Sequence, residues 1–188
     1  MHTILHYYYT RMLLGEPHAS IAFAVDLEPA KTKLHAKLYK GLGVVDVVYS
    51  LPEKYWIGVA AHLVQDAYWE VFVRRNYLKY GNIWYHRMIE TLWARRWAEK
   101  YMPKPPRIDI DVVSEFLEYM GGTPKDVFMA ERILWSIYGP LEEVEKLLWI
   151  RSNTPPESVD PSIIDKYFDE KALIELTSLL VGRIASKL

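Results

Sequence analysis

An all-α bundle is the fold class this sequence predicts, on three observations. Apolar residues recur at helical spacing along most of the chain. No pair of alternating segments is joined by Asn-Gly or Asp-Gly, the pattern of a tight hairpin. Proline and glycine clusters interrupt the chain at intervals that helices would fill. With 188 residues and 51% hydrophobic content, one domain with a sizeable core is expected.

Each element can be justified in order. A first helix over Thr3 to Leu14 stops at "GEP", where Gly15 and Pro17 end a helix readily. The apolar stretch Ala19 to Val25 leads to Asp26 and Pro29, and a second helix runs from Ala30 to about Leu42, ending at "GLG". "VVDVVYS" is the best candidate for a strand, because valine favours extended backbone, although it is short enough to be absorbed into a helix. "SLPEKYW" reads as a helix start with Ser50 as cap, Pro52 near the first position and Glu53 completing a capping box. That helix carries His62 and Asp66 to about Tyr77, and Gly81 with Asn82 breaks the pattern. A helix from Trp84 to Tyr101 carries His86 and Glu90. "MPKPPR" is a linker that divides a front portion (1–101) from a back portion (107–188). Three helical stretches follow: Ile110 to Met120, Pro124 to Tyr138 running into Leu141 to Ile150, and Ser162 to Lys187, with "TPKD" and "DPS" as cap-then-proline starts.

Composition excludes several chemistries. The absence of cysteine rules out disulfides, thiolate zinc sites and cysteine nucleophiles, so a metal would need His, Asp and Glu. A net charge of -1 gives no global attraction to nucleic acid or an anionic membrane, which argues against "WARRWAEK" as a nucleic-acid contact. No segment reaches the length of an apolar membrane span, and the start lacks a basic region followed by an apolar one, so the expected location is the cytoplasm. One Gln and three Asn beside seven Trp and fourteen Tyr hint at a hot environment. Phosphate-cradling and nucleophile-elbow glycine motifs are absent.

All six histidines, at 2, 6, 18, 35, 62 and 86, lie in the front portion. His62 with Asp66 and His86 with Glu90 are spaced four apart, which stacks both side chains on one helical face. Bundles build core metal sites from such pairs. Taken singly, each pair reads more often as a core histidine hydrogen-bonded to a carboxylate.

Taken together, Asp26, His35, "HLVQD" (62–66) and "HRMIE" (86–90) resemble the zinc-dependent phospholipase C family, whose helical fold is shared with the fungal single-strand nucleases. "ILHYYYTRMLLGE" is similar to the opening of its intracellular members, and the resemblance covers about residues 2–95. It implies His6, Asp26, His35, His62 and Asp66 as ligands of a metal pair, with Asp66 bridging, and His86 with Glu90 as ligands of a third zinc. It implies hydrolysis of a phosphate ester, a phosphodiester in particular, by a metal-bound hydroxide, with Asp66 and Asp26 in the catalytic centre. Two departures bear on the third ion. The family's further histidine after the His-x-x-x-Asp motif is missing from "AYWEVFVRR", leaving Glu70 as the replacement, and the N-terminal amine used by secreted members is expected to be replaced by His2.

Arg74 and Arg75 are candidates for clamping the substrate phosphate, and equally for a solvated helix face. The tryptophans at 56, 69, 84, 93 and 97 fit a core better than a ligand surface. An HD-type phosphohydrolase needs adjacent His and Asp, and no histidine here is followed by Asp. The rival class is a non-catalytic helical binding or scaffold protein with an incomplete site. The back portion is expected to cover the site, complete the core or form a homodimer.

Overall fold

The structure, a computed structural model, describes residues 1–76, 83–153 and 162–187, which contain helices and no strand. Helix α1 (Thr3–Leu14) has the expected bounds. Its first turn is capped by His2 Nδ1, which accepts from the Ile4 N–H, and it ends at Gly15, whose φ of 71° suits glycine. The apolar stretch that follows is itself a helix, α2 (His18–Ala24), buried from Ala19 onward. Next comes α3 (Ala30–Tyr39).

The valine-rich segment is helix α4 (Val44–Tyr49), not a strand. Asp46 accepts from the Gly43 N–H and so closes the first turn, while Val47 and Val48 are fully buried. The cap and the burial together override a modest extended preference. Ser50 ends this helix, its Oγ–H donating to the Val47 carbonyl, and does not cap the next one.

Helix α5 (Glu53–Asn76) is central, packing against α1, α2, α4 and, from the back portion, α12 (Glu170–Ala185). Gly58 sets its distance from α2: a Cβ there would stand 2.6 Å from Ile21 Cβ and 2.7 Å from the His18 carbonyl oxygen. Helix α6 (Ile83–Tyr101) follows; the expected end near Tyr77 and the break at Gly81 and Asn82 lie outside the described residues.

Beyond the linker come α7 (Ile110–Tyr119), α8 (Pro124–Val127), α9 (Met129–Tyr138), α10 (Leu141–Ser152) and α11 (Ser162–Tyr167), then α12. The cap-then-proline start expected at "TPKD" is present, with Thr123 and Asp126 forming a capping box, but the helix expected to reach Tyr138 is divided at Phe128. The expected final helix is also divided, because Asp169 accepts from the Ala172 N–H and starts α12 afresh. The start at Asp160 and Pro161 lies outside the described residues.

The back portion completes the core of the front. Besides α12 on α5, Tyr7 donates to the Arg107 carbonyl at 3.0 Å, and Arg95 donates to the Ser136 and Gly139 carbonyls at 3.1 and 2.8 Å. Among the described residues, no helix is long and apolar enough to cross a membrane.

Candidate metal centre

Four helices and one loop bring the front portion's histidines and carboxylates together. His6 comes from α1, His35 from α3, His62 and Asp66 from α5, and His86 and Glu90 from α6, while Asp26 follows α2. One ligand atom from each of His6, His62 and Asp66 falls within 4.8 Å of the others. Asp66 stands between the imidazoles: its Oδ1 is 3.0 Å from His6 Nε2, and its Oδ2 is 3.4 Å from His62 Nε2 and 3.6 Å from His35 Nε2. The His6 and His62 rings stack with centroids 3.9 Å apart.

Hydrogen bonds on the far side of each ring fix which nitrogen faces the centre. The Ala22 carbonyl can only accept, so His62 Nδ1 carries the proton it donates there at 2.8 Å. His62 Nε2 is thereby left facing the centre, buried, with no hydrogen-bond partner, and aimed at Asp66 and Asp26. Gln65 does the same for His6: its amide donates to Thr10, and its Oε1 accepts from His6 Nδ1 at 2.9 Å. Burial, then the neighbouring His62, lowers the His6 pKa against the pull of Asp66. Its Nε2 lies within hydrogen-bond distance of Asp66 Oδ1. His35 Nε2 is a further buried nitrogen without a partner, and burial depresses its pKa too.

Asp26 lies at the margin, 4.0 Å from both His6 Nε2 and His62 Nε2. Thr3 donates to its Oδ2 at 2.8 Å and Lys31 to its Oδ1 at 2.7 Å. Burial would raise its pKa, but Lys31 and then His62 outweigh it and hold the carboxylate ionised well below its usual range.

On the other side of Asp66, the α-amino group of Met1 is buried 2.6 Å from Asp66 Oδ1 and 2.9 Å from Glu90 Oε1. Burial pulls its pKa down, yet Asp66, Glu90 and Asp26 together raise it. Burial likewise opposes ionisation of Asp66 and Glu90, and the amine is the leading group that holds both ionised. His2 was expected in this position. It faces away, towards Ser136 and the first turn of α1, while the amine reaches the carboxylates. His86 Nε2 lies 3.0 Å from Glu90 and also meets the Trp69 indole N–H at 3.2 Å. Trp69 in turn lies flat on Trp93, so this side of the cluster has an aromatic support.

The cluster floors a cavity of about 460 Å³. Glu70 lines it, as expected of the residue standing in for the missing histidine, and is bonded to Arg74 at 2.5 Å. Arg74 and Arg75 themselves are exposed at the end of α5 and do not line it. An i+4 step carries the functional stripe from His62 through Asp66 to Glu70, and the next step passes the rim. The cations that do line the cavity are Lys31 and Arg87, neither of which sequence reasoning selected. Lys31 sits four residues before His35 on the same face of α3, which was the available signal.

No protein-family model, curated protein or solved structure matches this chain.

The donor set fits a divalent transition ion. Imidazoles held by an outer hydrogen bond, converging carboxylates and no thiolate make a nitrogen and oxygen donor set of the kind zinc accepts. The partner hydrogen bonds from Ala22 and Gln65 are the outer supports such ligands carry.

Proposed function

We propose that this chain is a zinc-dependent hydrolase of phosphate esters, phosphodiesters above all. The observation that carries the reading is His62: a buried imidazole with Nδ1 committed to Ala22 and Nε2 aimed, without a hydrogen-bond partner, at two carboxylates. Such a group costs roughly 1–3 kcal/mol unless something occupies it, and a cation is what a lone pair facing carboxylates accepts. Ions held there would activate a water and neutralise charge on a phosphodiester. Of the chain's own residues, His6, His35 and His62 would supply nitrogen ligands, and Asp66, whose two oxygens face different imidazoles, would supply carboxylate oxygen. Asp26 would add a second carboxylate at the margin of the group. His86 and Glu90 offer a third position beyond the Met1 amine. Lys31, at the cavity wall, balances Asp26, and Arg87 on the same lining would offer a positive charge to a substrate anion.

A second reading has its own observation. Asp66 and Glu90 already hold the Met1 amine and Asp26 already holds Lys31, so a polar cluster neutralised from within would suit a non-catalytic binding or scaffold protein. One experiment separates the two. Protein purified without chelator is analysed for metal and assayed on bis(p-nitrophenyl) phosphate. The hydrolase reading expects near-stoichiometric zinc and turnover, both lost in Asp66→Asn; a folded, metal-free and inert wild type would establish the second reading.

A further inference from the structure

Helix α3 is the wall between two cavities. One face turns Lys31, His35 and Leu38 to the metal centre, and the other turns Lys33, Lys37 and Lys40 to a separate open groove of about 530 Å³. Ala36, Leu51, Tyr119 and Met120 give that groove an apolar lining. Between Glu28 and Asp46 the sequence has four lysines and no acidic residue. Lys31 is paired with Asp26, but Lys33 and Lys37 donate to neutral oxygens, those of Met120 and Ser50. None of Lys33, Lys37 and Lys40 forms an ion pair with a carboxylate among the described residues. The groove therefore carries uncompensated positive charge on a chain whose net charge is -1.

At the end of the same helix Tyr39 is 86% exposed and Leu42, in the turn that follows, is 46% exposed. Tyr39 also lines the mouth of the metal cavity, with Leu38 and Val44. Tyr39 is the most exposed large apolar side chain among the described residues. A lysine row beside a protruding tyrosine and leucine is the chemistry of an interfacial segment, with cations at the level of lipid phosphates and apolar tips among the upper acyl carbons.

We propose that the C-terminal end of α3 and the 40–43 turn dock on an anionic lipid surface, with Tyr39 and Leu42 inserted and the flanking Lys33, Lys37 and Lys40 on the headgroups. Lipid fits better than a nucleic-acid strand, because phosphates and a stacking ring would account for the lysines and Tyr39 but leave Leu42 and the apolar groove without a role. Docking in this way turns the mouth of the metal cavity towards the surface. The inference stands on charge and exposure alone and does not need the metal reading to hold.

The test is co-sedimentation of the full chain with phosphatidylcholine vesicles with and without phosphatidylserine. Binding is expected only with phosphatidylserine and is expected to weaken with added salt. Each lysine removed should cost about fivefold in partitioning, so the triple Lys→Gln variant at 33, 37 and 40 should lose about a hundredfold. Lys33 and Lys37 make local bonds, so Lys40→Glu alone, at a side chain with no recorded bond, is the second variant and should weaken binding with an unchanged circular dichroism spectrum. Tyr39→Ser with Leu42→Ser should weaken binding while leaving its salt dependence in place. No vesicle binding by the wild type overturns the proposal, as does full binding by Lys40→Glu. Preferential binding of a single-stranded oligonucleotide, insensitive to Leu42→Ser, overturns it in favour of nucleic acid. Zinc content is expected to be the same in every variant.

Discussion

The two portions of this molecule depart from the simple rule of apolar inside and polar outside with different emphasis. The front portion buries polar groups: Thr3, His6, Thr10, Ser20, His62 and Gln65 are almost fully enclosed. The back portion leaves apolar groups in solvent, among them Phe128, Trp149, Ile150 and Leu179, each at least half exposed. Exposed apolar side chains are common and cost little, whereas buried polar groups must be satisfied or they destabilise. The front portion's exception is therefore the informative one, and it is concentrated around one carboxylate, Asp66.

Zinc should separate the portions most strongly. At a thousandfold excess over its Kd, a ligand bound only by the folded state adds about 4 kcal/mol, or roughly 8–16 °C in Tm for a chain of this size. Differential scanning calorimetry with zinc and then with chelator measures this, and no shift would place the front cluster on the same footing as an ordinary core. Next in size is Gly58→Ala. Its new Cβ would press on Ile21 and the His18 carbonyl and force α2 away from α5, costing about 1–3 kcal/mol by overpacking. Because Ala22 follows Ile21, the bond that orients His62 should loosen as well, so zinc affinity should fall with stability; urea melts and zinc titration report the two separately.

Acid should act on the front portion too. Burial depresses the pKa of His2 to about 4 and lowers those of His6 and His35. With folded pKa values below the unfolded value near 6.5, the unfolded chain takes up protons first. In metal-free protein the contribution of these imidazoles is therefore full above about pH 6.5 and is lost as pH falls, with a slope of at most about 1.4 kcal/mol per pH unit for each. For His2 the loss is complete near pH 4. Urea denaturation at a series of pH values tests the sign, and stability rising towards acid would contradict it. The smallest effect belongs to the back portion: Ile150→Ser, at a side chain 68% exposed, should change stability by no more than about 0.5 kcal/mol and leave zinc binding alone.

The sequence made much of this contrast legible. The bounds of α1 followed from Gly15, and the four-residue spacing of His62 with Asp66 and His86 with Glu90 put each pair on one face, where the structure has them. What escaped depended on tertiary context. Val47 and Val48 form a helix because burial and the Asp46 cap reward one. Arg74 and Arg75 were singled out by charge, but the cavity ends one turn before them. Lys31 and the Met1 amine were missed because their roles arise from proximity to Asp26, Asp66 and Glu90, and only the first of those neighbours lies close in the chain.

The chain's only glutamine has a consequence for how the protein ages. Gln65 is fully buried, with one end of its amide on Thr10 and the other on His6. Hydrolysis of that amide would replace a group that donates at one end and accepts at the other with a carboxylate that only accepts. The bond to Thr10 would reverse, and the new charge beneath His6 would draw a second proton onto the ring and remove the lone pair facing Asp66. Burial keeps water from the amide, so this slow chemical clock is shielded for as long as the chain stays folded. Each unfolding event would expose it, and damage at this one position would accumulate as a record of time spent unfolded.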